Sequence, residues 1–265
     1  MKEIQQKLVF IIQSTFPPPS IGNEFFYLNV TGWSPLCKQL LSTLNPSCYN
    51  YYEMIKVNEI YLSVQGESSY TGLPCVFVRL TGCNLRCVWC DTAYAFHEGK
   101  TQSIDQTLKE VEKFEVNLVE ITGGEPLMQE GVYPLMNALL KSGHQVMLET
   151  GGSLSLKKVP QDVIKIMDLK CPGSGEHKKN NLDNLKLLAP HDEVKFVILD
   201  RQDYEWSRDL IKKHKINEIA SILFSPVYDK LELKEMVKWI LEDRLPVRLQ
   251  TQLHKIIWNK ETQGV

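Results

Sequence analysis

No stretch of this 265-residue chain approaches the ~20 consecutive apolar residues that a membrane-spanning helix needs. Neither sign of charge dominates: 30 lysines and arginines face 32 aspartates and glutamates, a formal net charge of −2. That near balance excludes attachment to nucleic acid or to an anionic membrane through bulk charge. Cysteine is too scarce, at seven residues, for a disulfide-built scaffold. Hydrophobic residues make up 43% and charged residues 23%, which excludes a disordered or fibrous chain. The length suffices for one large domain or two small ones.

Residues 1–53 stand apart. They hold only six charged residues (Lys2, Glu3, Lys7, Glu24, Lys38, Glu53) and five prolines, including Pro17-Pro18-Pro19. The apolar run Leu8–Ile12 is shorter than the ~7–15 residues of a signal-peptide core, and no small-residue cleavage site follows it. Secretion is not expected, and the chain is assigned to the cytoplasm. A catalytic domain is expected over 54–265. Residues 1–53 are then an appendage, whether a disordered extension or an upstream mis-start.

From residue 57 the apolar pattern alternates between periods. Val57–Leu62 and Cys75–Thr81 read as strands, as do Leu118–Thr122, Gln145–Thr150, Val163–Leu169, Val194–Leu199, Ile219–Phe224 and Val247–Leu249. Ile104, Leu108 and Val111 repeat at helical spacing behind a Ser103/Gln106 capping box. Further helices are expected over Tyr133–Lys141, around Trp206, Leu210 and His214, and around Leu233, Val237 and Ile240. Such alternation implies an α/β fold of parallel βαβ units. The count suits a partial or modified (β/α)6 barrel of TIM type. Its chemistry is then expected at the C-terminal ends of the strands. The glycines of Gly123-Gly124-Glu125-Pro126 stand at such an end, where a backbone can approach a ligand closely.

Cys83-Asn84-Leu85-Arg86-Cys87-Val88-Trp89-Cys90 is a C-x3-C-x2-C segment. Thiolates at this spacing wrap one loop around a soft-metal centre in a reducing compartment. Three ligands leave one position unfilled. A closed zinc site needs a fourth, which Asp91, His97 or Cys171 could supply. A four-iron cluster would instead keep one iron open to a small molecule.

The cysteine loop after an early strand, followed by Gly-Gly-Glu-Pro one βα unit later, resembles the radical S-adenosylmethionine (SAM) enzymes. The resemblance implies a [4Fe–4S] cluster on Cys83, Cys87 and Cys90. It implies SAM chelating the open iron, with one electron yielding methionine and a 5′-deoxyadenosyl radical. It places SAM against Val88, Trp89, Cys90, Gly124 and Glu125.

Further segments narrow the resemblance. Val64-Gln65-Gly66-Glu67, Phe77-Val78-Arg79, Cys90-Asp91-Thr92 and Gln252-Leu253-His254-Lys255 together resemble the 7-carboxy-7-deazaguanine synthase family, over about residues 57–265. That family of lyases serves queuosine and 7-deazapurine biosynthesis. It converts 6-carboxy-5,6,7,8-tetrahydropterin to 7-carboxy-7-deazaguanine with loss of ammonia, using Mg²⁺. The resemblance puts Val64, Gln65, Gly66 and Glu67 on the substrate, with Thr122 and His254. A carboxylate suits the guanidine-like edge of a pterin, and Arg79 suits the substrate carboxylate. Thr92 offers a hydroxyl to Mg²⁺. Asp168-Leu169-Lys170 and Ser225-Pro226 match the segments for the ribose and adenine of SAM, although Asp168 stands where serine is more usual. A flavodoxin or ferredoxin reductant and a homodimer are also implied, with no nucleic-acid or membrane partner.

Two rivals remain open at this point. A glycyl-radical activating enzyme shares the cysteine spacing but has a protein substrate and no need of the Gln-Gly-Glu loop. A structural zinc-binding protein would use the same cysteines without catalysis.

Overall fold

The computed structural model describes residues 54–259 and 262–265; the expectations for residues 1–53 lie outside them. Strand β1, Met54–Val64, opens the described part and is longer than the sequence pattern indicates. It pairs antiparallel with β2, Pro74–Leu80, and with β3, Lys100–Ser103. These antiparallel pairings precede the parallel βαβ units. Lys-Thr-Gln-Ser carries no apolar alternation, because β3 is a polar strand at the sheet edge.

From β2 onward every pairing is parallel, through β4 (Leu118–Gly123), β5 (Gln145–Thr150), β6 (Ile164–Asp168), β7 (Glu193–Ile198), β8 (Ser221–Pro226) and β9 (Arg248–Leu249). The sheet order is β3-β1-β2-β4-β5-β6-β7-β8-β9, running from edge to edge as a partial barrel does. Helices α1 (Ile104–Glu112), α2 (Val132–Lys141), α3 (Arg201–His214) and α4 (Leu233–Asp243) are joined by a short α5, Leu253–Ile257. The β5–β6 and β6–β7 connections carry only 3-10 turns, so those two crossovers lack α-helices. No helix among the described residues is long and apolar enough to cross a membrane.

The expected capping box is present. Ser103 Oγ accepts from the Gln106 amide at 3.1 Å, and Gln106 Oε1 accepts from the Ser103 amide at 2.9 Å. Behind it α1 buries Ile104 and Val111, while α2 buries Val132, Leu135, Met136 and Leu139. These residues join Val119, Ile121, Val146, Leu148, Val194 and Phe196, the outward-facing positions of the strands, in the main core.

The opposite register of the same strands faces inward. Cys75, Phe77, Leu118, Met147, Ile164 and Ile166 form a second, smaller apolar cluster. Two residues further along each strand the inner positions become polar: Arg79 on β2, Glu120 and Thr122 on β4, Glu149 on β5, Asp168 on β6. The period-2 pleat thus gives the inner face an apolar floor and a charged upper rim.

The crossing of β4 past β2 depends on Gly123. Its φ is +148°, and an added Cβ would collide with the carbonyl oxygen of Leu80 and lie 2.7 Å from its amide nitrogen. Gly123→Ala is expected to destabilise by more than about 1 kcal/mol, read as a lower midpoint in thermal unfolding. A variant melting with the parent would contradict the close approach.

Candidate active site

A cavity of about 740 Å³ opens at the C-terminal ends of the parallel strands, and Cys83, Cys87 and Cys90 all line it. Their loop is tied down by backbone polar groups. Gly82 N donates to Ala95 O at 2.8 Å, Val88 N to Ser174 O at 3.1 Å, and Arg86 N to Glu176 Oε1 at 2.8 Å. Arg86 Nη1 reaches back to the carbonyls of Cys83 and Leu85, with its guanidinium over the Phe96 ring at 4.3 Å. The three thiols are half-buried and free, and burial pushes those of Cys83 and Cys87 up.

The fourth ligands that a zinc site would need are engaged elsewhere. Asp91 pairs with Lys255 at 2.6 Å, Cys171 is buried against Ser207 Oγ at 3.3 Å, and His97 is exposed. Among the described residues no three His, Cys, Asp or Glu side chains converge as one ion would require. A multi-iron cluster spreads its ligands more widely than a lone ion does.

Gly124 lines the cavity beside the thiols, and an added Cβ would meet Gly82 O and lie 2.7 Å from Cys83 Cβ. Glu125 turns away from the cavity. Its buried carboxylate accepts from Thr150 Oγ1 at 2.9 Å, Gly151 N at 2.8 Å and Leu127 N at 3.0 Å, bracing β4 against β5. Asp168 and Lys170 line the cavity and pair at 2.8 Å. Asp168 Oδ1 is buried without a hydrogen-bond partner among the described residues, an acceptor suited to a hydroxylated ligand.

The cavity is also lined by a charged cluster centred on Lys195, whose side chain is only 4% exposed. Its ammonium pairs with Glu67 at 3.0 Å, with Glu149, and at 3.9 Å with Asp168. Burial opposes the charge on Lys195, but Glu149, Glu67 and Asp168 outweigh it and hold the lysine protonated. Burial likewise opposes the Glu67 charge, yet Lys195, His254 and Gln252 hold that carboxyl well below its usual range. Glu120 behaves oppositely: burial and the neighbouring Glu149 push it up to about 8.

Arg79 lines the cavity with Nε on Glu59 at 2.7 Å and Nη2 on the Tyr61 hydroxyl at 2.8 Å. The rings of Tyr61 and Tyr94 lie 5.9 Å from its guanidinium carbon. Thr122 donates to Glu149 at 3.1 Å. Gly66 packs against His254, whose Nδ1 would lie 2.8 Å from an added Cβ. His254 Nε2 lies 3.7 Å from Glu67. Val64, Gln65, Trp89 and Thr92 also line the cavity.

Four expected SAM contacts lie elsewhere along with the braced Glu125. Val88 points to solvent at 77% exposure, because its loop turns the side chain outward. Leu169 belongs to the main core, and Ser225 and Pro226 do not line the cavity. Conversely, Tyr61, Glu120, Glu149 and Lys195 line it without having been singled out as site residues. The available signal was a charge inside an otherwise apolar strand, as in Leu118-Val119-Glu120 and Val194-Lys195-Phe196.

Residues 77–240 match the Radical SAM superfamily. A 7-carboxy-7-deazaguanine synthase of Koribacter versatilis is 50% identical over 226 residues, covering 80% of this chain and 100% of the relative. One of Chlorobaculum tepidum is 44% identical over 214 residues, covering 80% of this chain and 97% of the relative. The chain belongs to the 7-carboxy-7-deazaguanine synthase family. The crystal structure of QueE from Escherichia coli superposes with a TM-score of 0.63 at 22% identity, over 75% of this chain and 94% of that one, and shows the same fold.

The radical SAM cofactors, a [4Fe–4S] cluster and SAM, fit what the chain presents. Three free cysteine thiols line the cavity, Gly124 admits a close backbone approach, and Asp168 offers an unpartnered acceptor. The raised Glu120 carboxyl has a thermodynamic consequence. The folded state keeps a proton that the unfolded chain releases once the pH passes the ordinary value of 4.5, so folding loses stability as pH rises from there to about 8. Glu120→Gln abolishes that titration. Its melting temperature relative to the parent is expected to climb between pH 5 and pH 8; a constant difference would show that Glu120 ionises normally.

Proposed function

We propose that this chain is a 7-carboxy-7-deazaguanine synthase, a radical SAM lyase that converts 6-carboxy-5,6,7,8-tetrahydropterin to 7-carboxy-7-deazaguanine with loss of ammonia. The product feeds queuosine and other 7-deazapurines. The observation that carries this reading is one cavity lined by the three cysteine thiols together with Glu67, Arg79 and His254. It is joined by the 50% identity to a relative of that name.

Cys83, Cys87 and Cys90 would hold the cluster. Once bound and reduced, the cluster and SAM supply the means to remove a hydrogen atom from the substrate. The Gly124 backbone and the Asp168 carboxylate would receive SAM, with Trp89, Cys90 and Lys170 beside it. Thr92 lines the cavity next to Cys90 Sγ, 3.9 Å away, and would give its hydroxyl to Mg²⁺. Glu67 stays ionised and accepts the donors of the pterin edge. Gln65 is spent on the loop itself, so the reading of that edge falls to Glu67. Arg79 is pre-oriented by Glu59 and Tyr61 and meets the substrate carboxylate. Thr122 and His254 complete the polar lining.

The reductant in this proposal is a flavodoxin or ferredoxin, the enzyme a cytoplasmic homodimer, and 54–265 its catalytic domain. The full length of the Koribacter relative matches 80% of this chain, a share equal to 54–265. A chain starting at Met54 is expected to load iron and turn over like the full chain; loss of either would place 1–53 within the functional unit.

The direct test is anaerobic. Reduced protein with SAM, Mg²⁺ and carboxytetrahydropterin is expected to form the deazaguanine acid, identified by mass spectrometry. Cys87→Ala is expected to lose the roughly four irons per chain that a [4Fe–4S] protein carries. Arg79→Ala is expected to cost at least about 3 kcal/mol in kcat/KM while still cleaving SAM when reduced. SAM cleavage without deazaguanine formation by the parent chain would favour a protein-activating enzyme instead.

A further inference from the structure

Glu120 lies on the inner face of β4 and is 2% exposed, and no step of the proposed reaction calls on it. Its Oε2 accepts from Gln65 Nε2 at 3.0 Å. Gln65 is equally buried, and its amide has no choice of orientation. Its Oε1 already takes the backbone N–H groups of Glu67 and Ser68, both at 2.9 Å, so Nε2 must face Glu120. The backbone of Gln65 is held as well, by Leu73 O and Gly72 N at 2.8 Å each.

This chain of bonds links the sheet to the amide of Glu67. The loop also carries the C-terminal segment: Gly66 O accepts from Leu253 N at 3.1 Å and from Gln250 Nε2 at 3.3 Å. Two groups facing the cavity, Glu67 and His254, therefore rest on one loop that the Gln65–Glu120 bond ties to β4, while Ser69 N and Glu67 tie it to Glu193 and Lys195 of β7.

We propose that Glu120 is a positioning residue for the substrate, acting through Gln65 to hold the 65–68 loop where Glu67 and His254 face the cavity. A protonated acid suits the place. It offers an acceptor to Gln65 without adding negative charge beside Glu149 and Glu67, which share Lys195. An apolar side chain would leave the buried Nε2 of Gln65 unpaired. A glutamine would keep an acceptor there.

The inference rests on the reading of Glu67 as a substrate contact, and kinetics on the cluster-loaded full chain test it. Glu120→Leu is expected to raise the KM for carboxytetrahydropterin about tenfold, the scale of one orphaned buried donor. Iron content and substrate-free SAM cleavage are expected to stay at parental levels. Glu120→Gln is expected to keep the parental KM. Gln65→Glu sets two carboxyl groups against each other and is expected to raise KM; adding Glu120→Gln restores a donor–acceptor pair and is expected to bring it back. A parental KM in Glu120→Leu would overturn the proposal. If Glu120→Leu does not load iron, the exchanged pair decides: recovery of KM supports the role and no recovery overturns it. A parent chain inert toward carboxytetrahydropterin would sink the reading of the enzyme itself, a different outcome.

Discussion

One buried ammonium holds the upper rim of this barrel together. Lys195 sits on the inner face of β7 with carboxylates from three other places around it: Glu149 on β5, Asp168 at the end of β6, and Glu67 in the β1–β2 loop. Three carboxylates facing one cavity repel unless a cation lies among them. Because Lys195 is there, Glu67 remains ionised. At Glu120 the compensation from Lys195 is outweighed by burial and the neighbouring Glu149, and the group is pushed toward its neutral form. The same rim therefore carries an ionised acid, Glu67, and a protonated one, Glu120.

Two sets of groups line the same cavity. Thiols on a tightly bonded loop stand beside a glycine whose missing side chain leaves room for backbone approach. The charged groups are fixed before any substrate arrives. Arg79 is bonded to Glu59 and to the Tyr61 hydroxyl, with the Tyr61 and Tyr94 rings 5.9 Å away, and Glu67 is bonded on both oxygens, to Lys195 and Gln252. Fixing such groups in advance reduces the ordering cost of binding.

Much of this was legible in the sequence, for identifiable reasons. Cysteine spacing is a local property, so the cluster loop could be read directly. So could the Ser103/Gln106 cap and the Gly123-Gly124 turn, whose need for glycine comes from the Leu80 and Gly82 backbone. Strand direction is not written in periodicity, so the antiparallel pairing of β1 with β2 and β3 could not be read there. β3 was missed because a polar edge strand has no hydrophobic alternation. Val88 was expected at the ligand because of its neighbours in sequence, whereas the loop geometry turns it outward. Lys195 and Glu120 carried a signal, a charge in an apolar strand, but its meaning depends on partners tens of residues away: Glu67 is 128 positions from Lys195, and Gln65 is 55 from Glu120.

The account stands or falls on Lys195 as the organiser of the charged cluster. Lys195→Met keeps the bulk of the side chain and removes its charge. The most direct measurement is deazaguanine formation by this variant under anaerobic, reduced conditions, beside its substrate-free cleavage of SAM. The expected result is product formation reduced by about 3 kcal/mol or more in kcat/KM, with SAM cleavage and iron content intact. Product formed at the parental rate and affinity would contradict the account, because the carboxylates would then hold their places without the cation between them.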